Sequence, residues 1–474
     1  MADPRSPGAR RAGGRRRPTR TSDAPRLAAW EVLRAVAEED AYANLLLPAR
    51  LRAHDLTGRD AAFTTELVAG SLRRQGTYDA VLGACLDRPL SRLHPRVLTV
   101  LRLGVHQLLG MRVPTHAAVS TSVDLVRAEV GPAPAGLVNA VLRRVAAHDL
   151  ATWVRTVAPD PAADPLGFAA VAHSHPHWVV DAFADALGDR RDELDELLRA
   201  DNEAPRVTLV ARPGLCERDE LLAVEDATPT TWSPWGVRLA GGDPASIPAV
   251  ADGRAGVQDE GSQLVALALT RAEVGGRDDR WLDLCAGPGG KAALLGALVA
   301  ARGGHLLAVE RQPRRTALVR RATAALPDGT VDVVTADGTR PAWPEGSFDR
   351  VLVDAPCTGL GALRRRPEAR WRRAPTDLEA LVPLQRALLV AALRAVRVGG
   401  VVAYATCSPV LVETGGVVED VVAGGVTGRA VLQDTRRLLP EVPDAVGPVD
   451  GTVQLWPHRH GTDAMFVAVL RRTL

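Results

Sequence analysis

Two of the five cysteines in this 474-residue chain close strand-like runs: Cys357 in Asp354-Ala355-Pro356-Cys357-Thr358-Gly359 and Cys407 in Ala405-Thr406-Cys407-Ser408. Upstream lies a glycine-rich loop, Cys285-Ala286-Gly287-Pro288-Gly289-Gly290-Lys291. A cofactor loop followed by two thiols suits methylation of a pyrimidine ring carbon. Carbon-5 of cytosine is too weak a nucleophile to attack a sulfonium methyl unaided, and a thiolate adding to carbon-6 makes it enamine-like. A base must then remove the carbon-5 proton before the thiolate can leave. Two thiols can therefore divide the labour, one attacking and one assisting release, and residue types alone leave open which does which. The competing reading is burial in the core, where free cysteine is common. It suits Cys85 and Cys216, and also Cys285 despite its place in the loop.

Gly287, Gly289 and Ala292 satisfy the Gly-x-Gly-x-x-Gly/Ala pattern after a strand, and Glu310 ends the second strand, where an acid binds ribose hydroxyls. A nucleoside-triphosphate loop is excluded, because Cys285 replaces its first glycine and Ala292 its Ser/Thr. Hydride and methyl donors remain. Asp337, closing the third strand near where an adenine amino group would lie, favours S-adenosylmethionine over NAD. Lys291 ends the glycine loop and is the one lysine among 58 basic residues. An ammonium is a compact point charge and a guanidinium a wide planar fork, so a position that keeps lysine against such a bias is one where the fork will not do.

The elements that must carry these residues follow from length and pattern. A chain of 474 residues exceeds one core, and a prior of ~150 residues per domain suggests about three. Residues 1–22 form a basic arm without apolar periodicity, expected to be disordered. Residues 23–150 have apolar residues at three- and four-residue spacing and are expected to be all-helical, with five to seven helices. After a Pro/Ala/Asp linker, residues 165–270 form a small mixed α/β subdomain. In residues 271–474 strands alternate with helices, which predicts a Rossmann-like parallel sheet covered on both faces. Strand-like runs are Trp281 to Leu284, His305 to Glu310, Val331 to Thr335, Phe348 to Asp354, Val401 to Thr406 and Met465 to Leu470. Ligands of such sheets bind at the carboxyl ends of the strands, where both thiols and the glycine loop fall.

A net charge of only +2 means that affinity for nucleic acid must come from local clusters of arginine. Arg364, Arg365, Arg366, Arg370 and Trp371, directly after the Asp354 loop, are candidate contacts to single-stranded or loop RNA, whose bases can be splayed out and stacked. The target base must leave its stack to reach a thiolate. A solvated helix face is the alternative. His458 and His460 lack a third partner, so no metal is expected. With no Cys-x-x-Cys pair, no apolar run of ~18 residues and no signal-like N-terminus, the chain is expected to be cytoplasmic and free of membrane spans.

Three segments together, Asp283 to Lys291, Asp354 to Gly359 and Thr406 to Ser408, are similar to the RsmB/NOP family of RNA 5-methylcytosine methyltransferases. Arg59 to Arg73 and Gly136 to Arg144 resemble the helical RNA-binding domain of the NusB antitermination factor. This narrows the resemblance to the ribosomal small-subunit methyltransferase B subgroup, over nearly the whole chain from residue 22. It implies an S-adenosylmethionine-dependent methyltransferase domain behind a NusB-like domain, acting on 16S ribosomal RNA; a monomer is expected, although the sequence does not give the oligomeric state. It also implies that Cys407 is the nucleophile and that Cys357 helps release the product, although Pro356-Cys357 also looks like the nucleophile of DNA cytosine-5 methyltransferases. Asp354 and Lys291 would hold the base, while residues 285–291, Glu310, Asp337 and Asp354 would bind the methyl donor. Ala292, Thr414 and Ala464-Met465 depart from the family pattern. Another RNA such as tRNA, an NAD-binding oxidoreductase and a non-catalytic RNA-binding factor are the alternatives.

Overall fold

The computed structural model describes residues 23–424 and 430–474, and the basic arm of residues 1–22 lies outside them. Two compact units form: the described residues up to Ser71 with Leu82–Leu150, and Leu72–Val81 with Ala151–Leu474.

The first unit is helical. Its opening helix, Ala24–Glu38, starts where the Asp23 side chain accepts the Arg26 N–H and Pro25 occupies the first turn. Apolar residues at three- and four-residue spacing then bury Ala29, Trp30, Leu33 and Val36 on one face. Leu101, Leu103, Val126 and Leu142, from the helices Pro95–Val105, Thr115–Glu129 and Ala135–Val145, complete this core.

The second unit begins its main body with the helices Pro165–Ala172, His177–Leu187 and Leu194–Ala200. A small antiparallel sheet follows, with strands β1 (Thr208–Ala211), β2 (Thr228–Pro229), β3 (Gly236–Arg238) and β4 (Ala255–Val257) in the order β2-β3-β1-β4. The helix Glu260–Arg271 leads into the large sheet.

That sheet holds β5 (Arg280–Asp283), β6 (His305–Glu310), β7 (Val331–Thr335), β8 (Phe348–Asp354), β9 (Val396–Thr406), β10 (Ala430–Leu432), β11 (Val453–Gln454) and β12 (Phe466–Arg472). The spatial order is β10-β12-β9-β8-β5-β6-β7, with β11 paired to β12. Strands β5 to β9 pair in parallel, while β12 runs antiparallel to β9 and β10 antiparallel to β12. Both faces are covered, as a parallel sheet requires. Val401, Ala403 and Ala405 of β9 pack with the helices Glu260–Arg271 and Gly290–Ala300, whereas Val402 and Tyr404 pack with Leu388 and Leu389 of Asp377–Ala395. Because β5, β8 and β9 are neighbours in parallel register, the loops after Asp283, Asp354 and Thr406 emerge side by side. Over them lies the opening helical layer, where Val180, Phe183 and Leu197 pack with Leu360, Leu363 and Val410.

Candidate active site

Cys357 and Cys407 meet across the β8 and β9 loops. Their Sγ atoms are 3.5 Å apart and both residues are half-buried. The sites differ in the charges around them. Cys407 has a thiol pKa below the ordinary range, chiefly because Cys357 hydrogen-bonds to it; burial and Asp354 oppose this and the Lys291 ammonium assists. Cys357 is pushed well above the ordinary range by the same hydrogen bond, by burial, and by the negative charge of Cys407, Glu413 and Asp354. The two thiols are thus unequal, with Cys407 the one that gives up its proton first and Cys357 the one that keeps it.

Lys291 Nζ lies 2.9 Å from Asp354 Oδ2. Burial alone would lower the pKa of this ammonium, but Asp354, with help from Cys407 and Asp283, outweighs it and holds the group above its ordinary value. Lys291 sits in the first turn of the helix Gly290–Ala300, and the short stem of Asp354 meets it from the end of β8.

Around the glycine loop, the Glu310 carboxylate accepts the Gly287 N–H at 3.1 Å and the Gln312 N–H at 2.8 Å. A Cβ at Gly287 would come 2.2 Å from Glu310 Oε2, so the loop backbone lies directly on the acid. Asp337 accepts the Thr339 N–H and hydroxyl, which lower its pKa. Its turn packs against the loop, since a Cβ at Gly338 would meet Leu284 at 2.9 Å. Cys285 donates its backbone N–H to Asp283, and its thiol is raised well above the ordinary range by burial and by Asp283.

Some of the site escaped the reading from sequence. Asp283 is fully buried at the end of β5, with Oδ2 lacking a hydrogen-bond partner, and burial and then Asp354 push its pKa to about 7. Glu413 is also fully buried. It accepts the Thr358 N–H (2.8 Å), the Thr358 hydroxyl (2.6 Å), the Ser408 hydroxyl (2.6 Å) and the Gln385 side-chain N–H (3.0 Å). Thr358 and Ser408 follow the two cysteines directly, so one carboxylate grips both loops. Gly361 closes the same junction: its N–H donates to the Cys407 carbonyl at 2.9 Å, and a Cβ there would come 2.1 Å from the Ala464 carbonyl oxygen. The signal for Glu413 was its spacing six residues after Cys407, on the far side of a turn. Asp463 was visible only beside His458 and His460, which bond to Glu193 and to Trp456 and Pro443.

The arginine run needs correction as an RNA surface. Arg370 has no exposed area. Its guanidinium donates to the carbonyls of Arg73, Ser174 and Asp201 and to Asn202 Oδ1. Burial lowers its pKa to about 10. Arg364 is buried against the Gly461 carbonyl, 2.9 Å away. Trp371 packs its ring on Gly76, where a Cβ would come within 2.3 Å of it, so that face cannot stack on a base. Five donors on a planar fork suit the saturation of several carbonyls at once, and this is how the chain uses Arg370. Arg365 and Arg366 reach the surface. Arg365 is held bidentate by buried Asp463; burial works against its charge, but Asp463 and Asp259 raise its pKa above the ordinary value. Among the described residues no group of three or more His, Cys, Asp or Glu is placed to hold a metal, and no helix is long and apolar enough to cross a membrane.

Residues 274–471 match the family described as 16S rRNA methyltransferase RsmB/F, and residues 23–147 match the NusB family. A methyltransferase of Mycobacterium tuberculosis is 53% identical over 461 residues, covering 97% of this chain and 98% of its own. Ribosomal RNA small subunit methyltransferase B of Pseudomonas syringae pv. tomato is 33% identical over 403 residues, covering 83% and 86%. The crystal structure of PH0851 superposes with a TM-score of 0.79 at 22% identity, covering 95% of this chain and 98% of that one, a likeness of fold.

Proposed function

The chain belongs to the RsmB/F family of 16S rRNA methyltransferases, which use S-adenosylmethionine, and from that premise we propose that it methylates carbon-5 of a cytidine in 16S ribosomal RNA through a covalent Cys407–cytosine adduct. The observation that carries this reading is the pair of touching sulfurs with opposed proton preference, set beside the Lys291–Asp354 ion pair. A core cysteine has no need of such a partner, and a hydride-transferring site has no use for it.

The donor, when bound, supplies an electrophilic methyl group. The residues at the glycine loop fit it. Asp283 Oδ2 is a buried acceptor without a partner, suited to an ammonium group, and Gly287 leaves room where a side chain would collide with Glu310. Residues 285–291, Glu310, Asp337 and Asp354 would hold the rest of the molecule.

The chain's own groups carry the remaining steps. The Cys407 thiolate bonds to carbon-6, and the electron pair of the ring double bond makes carbon-5 nucleophilic toward the methyl group. Asp354 and Lys291 hold the base by its ring nitrogen and exocyclic groups, which keeps carbon-6 in line with the sulfur. Once Cys407 is bonded it carries no charge, so its hydrogen bond and its negative charge no longer hold the proton on Cys357, and that proton passes to solvent. The Cys357 thiolate then takes the carbon-5 proton, the double bond re-forms, and the bond from Cys407 to carbon-6 breaks with its electrons returning to sulfur. One proton is released per turnover, and Cys357 is again the thiol that donates to Cys407. Arg365 and Arg366 would bind phosphates at the mouth, and the NusB-like unit would add RNA affinity.

Incubation with labelled S-adenosylmethionine and unmodified small-subunit RNA tests the reading, with bisulfite sequencing to locate the product. Transfer to a cytidine of 16S RNA is expected. Transfer confined to tRNA would redirect the substrate, and transfer to no RNA would sink the proposal. Cys357→Ala should accumulate a protein–RNA adduct and Cys407→Ala none; the reverse pattern would exchange their roles.

A further inference from the structure

We propose that Glu413 is a positioning residue for the thiol pair: its buried carboxylate ties the two cysteine loops together at sulfur contact distance and keeps the shared proton on Cys357. The inference rests on Cys407 being the nucleophile and Cys357 the release partner.

The geometry is specific to the two loops. All four donors to Glu413 come from the loop and helix framework of the cysteines. Three are from residues immediately following Cys357 or Cys407, and the fourth, Gln385 Nε2, also donates to the carbonyl of Pro356, immediately before Cys357, at 2.9 Å. The Thr358 and Ser408 hydroxyls also touch each other at 3.0 Å. The Glu413 main chain is fixed in turn, its carbonyl accepting the Tyr404 hydroxyl at 2.7 Å from the middle of β9. A buried carboxylate is costly unless saturated with donors, and this one is. A purely structural staple between two loops would need no charge, since neutral hydrogen bonds close loops elsewhere in the fold.

The charge has an effect of its own. Cys357 touches Cys407 and feels the charges of Glu413 and Asp354, with Tyr404 in reach; Cys407 feels those of Lys291, Asp354 and Asp463, with Arg365 in reach. Asp354 acts on both sulfurs, whereas Glu413 weighs on Cys357 and Lys291 on Cys407. A negative charge on one side and a positive charge on the other polarise the pair. Removing the first should weaken the preference even where the fold is kept.

The test is mass-spectrometric mapping of iodoacetamide alkylation in the full chain across a pH series, alongside methyl transfer. In the native protein Cys407 should be labelled well before Cys357. In Glu413→Gln, which keeps shape but not charge, that preference should fall by roughly tenfold. Turnover should fall while KM for RNA holds, and Glu413→Asp should restore part of the preference. Native labelling preference and native turnover in Glu413→Gln would overturn the proposal. If Glu413→Gln loses its cooperative thermal transition, Thr358→Val and Ser408→Ala each remove one grip and should each reduce the preference; unchanged labelling in both would overturn it equally. The Cys357→Ala adduct separates the two levels of argument. Its absence refutes the nucleophile assignment, whereas its presence with unaltered labelling in Glu413→Gln refutes the role of Glu413 alone.

Discussion

The loops that carry the thiols and the arginine run that follows them are adjacent in sequence and both are rich in buried polar groups, yet they spend those groups differently. In the run, Arg370 gives its hydrogens to main-chain carbonyls and to Asn202, and Arg364 gives one to a carbonyl as well. The Nε–H groups that remain on these two side chains are buried, away from any ligand. At the thiol loops, Lys291 meets a single carboxylate oxygen, Asp283 keeps one oxygen unengaged, and the two sulfurs have only each other. A cation buried for architecture spreads its donors over the main chain around it, while the one buried for chemistry is paired with a single carboxylate beside the reacting groups.

That contrast can be broken in several places. The largest effect is expected at Cys407→Ala, which should lower methyl transfer on the order of 10⁴-fold or more with little change in thermal stability, measured by single-turnover transfer and a melting curve. Arg370→Met should do the opposite, costing about 3 kcal/mol in denaturant unfolding because several buried carbonyls lose their donor. If Arg370→Met unfolds like the native chain, the architectural reading of the run fails. Lys291→Arg should reduce turnover on the order of 10²-fold, since the wider fork displaces Asp354 and the base it holds, and kinetics with full RNA would show it.

A pH series sharpens the comparison further. With Cys407 lowered below the ordinary thiol value, its alkylation rate should rise with pH and level off before that of a free cysteine peptide. Cys357, raised well above that value, should still be unreactive at the plateau. The smallest effect is expected at Arg366→Ala: a few-fold loss of RNA affinity and a salt-dependence slope shallower by ~1 in a titration.

Much of this was legible in the chain. The runs at β6, β7 and β8 have the bounds read from the sequence; β6 and β8, inside the sheet, are largely apolar and end in acids, while the edge strand β7 is recognised by its valines. The strand β9 begins five residues earlier than its apolar run, at Val396 rather than Val401, since Gly399 and Gly400 mask its start. The glycine loop, Lys291 and the two thiols were visible because their types are rare here. Glu413 and Asp283 were not, for an acid carries no mark of burial in sequence: Glu413 takes its value from donors brought in by Thr358, Ser408 and Gln385, and Asp283 from an oxygen left without one. The arginine run misled for a related reason: in an irregular segment no period separates inward from outward, so Arg370 and Arg366 look alike.

One small residue sets a bound on how this protein can vary. At Gly361 the obstacles to any side chain are main-chain oxygens of two remote segments, 407 and 464, and neither can turn aside as a side-chain tip would. A methyl group added there cannot be absorbed by local repacking; it would have to push apart the main chains at Cys407 and Ala464 in one step. Stepwise drift is therefore closed at this position.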